Sequence, residues 1–159
     1  MKAVSINEIK KELTNLDSKS LQDLCMRLAK YKLENKELLT YLLFEANDES
    51  AYITLIKAEI DQHFETLPKG NVYYIKKSLR KILRITNRQI KYSGQHATEV
   101  ELRIYFCSRI ISAGIPLHQS QVLTNLFEQQ VKKIETVIAR LPEDLQYDYH
   151  RDFESLKAR

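Results

Sequence analysis

The stretch NVYYIKKSLRKILRITNRQIKYSG, residues 71–94, decides the fold class. Val72, Ile75, Leu79, Ile82, Thr86 and Ile90 recur at the spacing that lines one face of an α-helix. Asn71 is a suitable N-cap, and Ser93-Gly94 ends the pattern at about Tyr92. On the opposite side, Lys77, Arg80, Lys81, Arg84, Arg88 and Lys91 fall within one strip of roughly 100°, at about 100° per residue. Tyr73 sits on the same strip, one turn ahead of Lys77.

The same reading extends in both directions. Upstream, Ser5 and Glu8 form a capping-box pattern before Ile6, Ile9, Leu13 and Leu16. A second helix follows Asp17-Ser18 with Leu21, Leu24, Cys25 and Leu28, and a third starts near Asn35 with Leu39, Leu42, Leu43 and Ala46. After Asn47-Asp48 a fourth runs to about Leu67, with Ile53, Ile56, Ile60, Phe64 and Leu67 on one face. Pro68-Lys69-Gly70 is the clearest turn, since Pro and Gly both end a helix.

Downstream, Thr98 and Glu101 suggest a second capping box opening a sixth helix with Val100, Ile104, Cys107 and Ile111. Gly114 and Pro116 close it. A seventh begins near Gln119 or Ser120 with Leu123, Phe127, Val131, Ile134, Ile138 and Leu141. Pro142 suits the first turn of an eighth, which carries Leu145, Tyr149, Phe153 and Leu156.

The expectation is an all-α protein of about eight helices in sequential antiparallel hairpins. A helical bundle and a short HEAT-like α-α superhelix both satisfy the pattern. Short connections and the lack of a Pro/Gly/Ser-rich linker predict a single domain over residues 1–159. With only 3 Gly and 3 Pro, a β-sandwich or barrel with many tight turns is excluded. The segments Lys36–Glu45 and Leu145–Tyr149 resemble those of an uncharacterised bacterial all-helical family, over most of the chain. The resemblance carries no motif with a known mechanism and implies nothing about activity.

Charge is distributed unevenly. No Asp or Glu occurs between Glu65 and Glu99, where 8 of the 25 Lys and Arg residues lie. The remaining 17 bases stand against all 21 acids, so the overall +4 is a strongly basic helix set on an acidic body. Cations repeated along a rigid rod can meet successive phosphates, arginine adds planar forks, and Tyr73 can stack on a base. The alternative is a solvated face, or one packed against acidic helices of the same fold or of a second subunit. No helix-turn-helix, RNA-recognition or zinc-finger signature is present. A membrane-surface role fits less well, because the apolar face lacks Trp and Phe and is needed for a core.

Catalytic patterns are sparse. Glu59 and His63 share a helix face but lack a second His or Cys pair. Asp144, Asp148 and Asp152 repeat every four residues, and Glu45, Asp48 and Glu49 cluster, without the Glu-x-x-His form of helical di-metal sites. The three glycines are isolated, so no phosphate loop exists. No cofactor or metal is expected. Cys25 and Cys107 are expected as two buried, reduced thiols.

The leading expectation is a non-enzymatic helical scaffold, with a protein partner or self-association as its means of function. A nucleic-acid-binding module using the basic face is the alternative, and a metal-dependent enzyme with helical carboxylates a distant third. Tyr147 in the last helix is a candidate partner contact, since Tyr is enriched at interfaces, the alternative being that the rings of this helix close the open end of the core. Without a signal-peptide core or transmembrane stretch, the expected location is the cytoplasm, away from membranes.

Overall fold

A computed structural model describes residues 2–157. It is all-helical: α1 (Ile6–Thr14), α2 (Ser18–Tyr31), α3 (Leu33–Thr40), a π-helical turn Tyr41–Glu45, α4 (Glu49–Glu65), α5 (Val72–Ser93), α6 (His96–Ser112), a 3-10 turn Leu117–Gln119, α7 (Gln121–Ile138) and α8 (Glu143–Lys157). No strand occurs among the described residues. Contacts divide the chain into two compact units, Met1–Phe44 and Glu45–Arg159.

In the first unit, the Ser5 hydroxyl accepts from the Glu8 N–H at 3.3 Å and the Glu8 carboxylate accepts from the Ser5 N–H at 2.8 Å. That is the capping box read from the sequence. Asp17 caps α2 by accepting from the Ser20 N–H at 2.7 Å. The α2 and α3 helices pack as a hairpin, held also by Asn35 Nδ2 donating to the Leu28 carbonyl at 2.8 Å. None of α1, α2 and α3 buries a residue. Cys25 is therefore exposed, contrary to expectation, because nothing in the unit covers its helix face.

The second unit holds a continuous core. Ile53, Ile56, Ile60 and Phe64 of α4, Ile75, Leu79, Ile82, Thr86 and Ile90 of α5, and Phe153 and Leu156 of α8 are buried as their spacing predicts. In α7 the buried face is Leu123, Leu126, Gln130, Ile134, Val137 and Ile138, so the half-buried Phe127 and Val131 lie at its edge. Helix α6 is central, packing on α4, α5, α7 and α8. It consequently buries residues around much of its girth, including Leu102, Arg103, Phe106 and Ile110, which an amphipathic stripe does not anticipate.

The second capping box does not form. Helix α6 starts at His96, ahead of Thr98, which is buried and donates to the Glu49 carboxylate at 2.5 Å. Glu101 instead pairs with Lys57 of α4 at 2.6 Å. Glu49 also accepts from Ser93, so one carboxylate gathers the start of α4, the end of α5 and the first turn of α6. Gly94 closes α5 with φ +67°, a left-handed conformation that L side chains rarely adopt.

Candidate nucleic-acid interface

Helix α5 runs for 22 residues without Gly or Pro, with Asn71 Oδ1 accepting from the Tyr73 N–H at 2.9 Å. Its inner stripe anchors it: Leu79 and Ile82 are fully buried, and the Tyr52 hydroxyl of α4 donates to Gln89 Oε1 at 2.8 Å. The rod is thus fixed along one side, which orients everything on the other side.

The outer side carries the basic strip. Lys77, Arg80, Lys81, Arg84 and Lys91 are exposed. Arg88 departs from the reading: it is half-buried, with Nε shielded from solvent, so the strip is broken one turn before Lys91. From Lys77 to Lys91 the strip extends about 21 Å at the α-helical rise. Tyr73 is 64% exposed and meets the exposed Tyr74 ring edge-on at 5.3 Å between centroids, setting an aromatic pair at the strip's N-terminal end. A surface recess of about 670 Å³ along Tyr73, Lys77, Arg80 and Arg84 is lined by α5 side chains alone. No other helix of the unit walls it.

The alternative of a face packed against acidic helices is not what the unit shows. Among the described residues, Lys77, Arg80, Lys81, Arg84 and Lys91 make no ion pair. Four acids of the unit pair with other cations: Glu101 with Lys57 at 2.6 Å, Asp61 with Arg109 at 2.8 Å, Glu99 with Arg103 at 2.7 Å and Glu135 with Lys157 at 3.7 Å. Among the described residues, the five exposed cations of the strip thus have no ion-pair partner.

Several polar groups, Arg103 and Tyr105 among them unanticipated by the apolar helical spacing, are structural. The nearly buried Arg103 donates to Glu99, Asn87 and Gln130, and this network fixes α6 to α5 and α7. Tyr105 donates to Asp61 at 2.7 Å, and burial together with that carboxylate raises its pKa. Burial and Glu101 push the Tyr149 hydroxyl up to about 12, and burial alone does the same for the Cys107 thiol. A thiol so held is not a nucleophile near neutrality. The Glu99–Arg103 spacing of four was the one readable signal for this network.

The metal candidates do not converge. Glu59 and His63 are half-buried neighbours on α4, and no group of three His, Cys, Asp or Glu able to hold a metal forms among the described residues. Asp144, Asp148 and Asp152 are exposed on α8. Asp48 caps α4 through the Ala51 N–H at 2.9 Å. Tyr147 stands 82% exposed on α8, among Glu143, Asp144 and Asp148. No described helix is long and apolar enough to cross a membrane. Comparisons with protein-family models, curated proteins and solved structures find no match for this chain.

Proposed function

We propose that this chain is a helical binding module whose α5 docks the backbone of a nucleic acid. The observation that carries the reading is the strip itself: five exposed cations on a rigid rod, unpaired while the acids around α6 are engaged with other partners. Phosphates meeting this strip release condensed counterions, which drives association. Tyr73, at the end of the strip, offers a ring for an unpaired base. The packing of α4 on α6 and of α6 on α8 supports a short HEAT-like stack as the scaffold that holds α5 straight. A cytoplasmic location, where its two free thiols stay reduced, belongs to the same reading.

The test is fluorescence anisotropy with labelled single- and double-stranded oligonucleotides across a salt series. Five phosphate contacts give a slope of log K against log salt of about −3.5 to −4.5, and Arg80→Glu/Arg84→Glu flattens it by about 2. Tyr73→Ala weakens the single strand by about 1–3 kcal/mol and leaves the duplex nearly unchanged. No binding by wild type at low salt overturns the proposal. A second reading, a protein-interaction scaffold, is favoured by Tyr147, a large ring left in solvent on a terminal helix.

A further inference from the structure

We infer that the unit Met1–Phe44 is a self-association module, in which α1 of one copy fills the α2–α3 groove of a second copy and the exchange is reciprocal. The starting point is a folded unit in which Tyr41 alone is buried among the described residues. A helical unit of 44 residues lacks the surface-to-volume ratio for a core of its own. Of the nineteen large hydrophobics exposed among the described residues, fourteen lie in this unit.

The unit presents both halves of a contact. One half is a groove of about 560 Å³ between α2 and α3, with Met26, Leu33, Leu43 and Phe44 among its apolar walls. The charged residues lining it are Lys30, Lys32 and Lys36, with no carboxylate. The other half is α1, whose Ile6, Ile9 and Leu13 form one stripe continued by Leu16 in the turn that follows, with Glu8 and Glu12 along one flank and Lys10 along the other. The acidic flank is complementary to the groove's lysines. Helix α1 does not occupy the groove of its own chain: Ile6 is 79% exposed and Phe44 73%. Only Asn15, Leu16 and Asp17 join α1 to α2, and a short hinge of this kind favours exchange between copies over closure within one.

The area is sufficient. Eight exposed side chains (the four of the stripe and four of the groove) at on the order of 100 Å² apiece make roughly 800 Å² per copy, the amount a stable pair of proteins needs. A reciprocal contact of this kind has two-fold symmetry, so it closes at two copies and does not grow into a filament.

Sedimentation velocity of the full chain over a concentration series tests the inference. Wild type is expected at twice the mass of one chain at micromolar concentration. Ile9→Glu/Leu13→Glu in α1, or Leu33→Glu/Leu43→Glu in the groove, yields monomers. Mixing the two variants restores a dimer of intermediate affinity, because one of the two contacts is again complete. Glu12→Lys weakens the wild-type dimer roughly tenfold, and adding Lys30→Glu/Lys36→Glu to the same chain restores it. That rescue separates a lost contact from a misfolded helix. A wild-type monomer throughout, a dimer indifferent to the α1 substitutions, or a charge reversal without rescue each overturns the inference.

Discussion

Arg103 Nη1 donates to Gln130 Oε1 at 2.7 Å, joining α6 to α7 where the two residues are only 5% and 1% exposed. The guanidinium also donates to Asn87 and Glu99, so the charge is buried with each of its three nitrogens hydrogen-bonded. Removing one member leaves a donor with no access to water. Gln130→Leu is therefore expected to cost about 1–3 kcal/mol in urea unfolding. Arg103→Met is expected to cost more, since it strands Glu99, Asn87 and Gln130 together.

The two faces of α5 should respond oppositely to charge. Leu79 is fully buried, and Leu79→Asp is expected to destabilise by about 4 kcal/mol or more, a large share of the roughly 5–15 kcal/mol that holds an ordinary domain together. Arg84 is exposed and without an ion pair, and Arg84→Glu is expected to stay within about 0.5 kcal/mol of wild type. Thermal unfolding followed by circular dichroism distinguishes the two. Unfolding by Arg84→Glu would show the strip to be packed inside the protein.

The two thiols should differ in reactivity. Cys25 lies exposed on α2, whereas Cys107 is buried in α6 with its thiol held up at about 12. A disulfide-forming thiol reagent added to native protein at mildly alkaline pH is expected to modify Cys25 within minutes and to reach Cys107 only on adding denaturant. Equal rates would contradict the placement of α6.

Alkaline pH should destabilise the second unit in a defined window. Burial raises the Cys107 thiol from 9.0 to about 12, and burial with Glu101 raises Tyr149 from 10.0 to about 12. Both groups are neutral when protonated, so above their ordinary values the unfolded chain has released protons that the folded chain still holds. Stability is full below pH 9.0, and these contributions are lost as pH rises towards about 12. Cys107→Ala is expected to move the onset of the loss from about 9 to about 10, read as a change in the shape of the urea midpoint against pH.

The strongly periodic segments could be read from the sequence because few forces competed there. Val72 to Ile90 fixes both the stripe of α5 and the opposing strip, and Ser5 with Glu8 forms a cap from neighbouring residues alone. Misreadings arose where distant side chains intervened. Thr98 and Glu101 have the spacing of a capping box, but Glu49 and Lys57, far away in sequence, take them both. Arg88 matches the angle of the strip but is half-buried by neighbouring structure that helical spacing alone cannot reveal. The face containing Cys25 is apolar as read, yet periodicity says which side of a helix is greasy and not whether anything covers it. The strip's residues were legible. Their lack of counter-charge was not, since that depends on which cations hold Glu99, Glu101 and Asp61.

Those internal pairings have a consequence for how the molecule travels. Because Asp61, Glu99 and Glu101 are paired with cations of α4 and α6, while five cations of α5 are exposed without an ion pair, uncompensated positive charge is concentrated on α5. The second unit is thus an electric dipole as well as a carrier of net charge. In the field of a polyanion it rotates before it touches, and arrives with α5 foremost. On a cation exchanger it should elute later than a protein of equal net charge whose lysines are scattered, and added salt should erase that difference first.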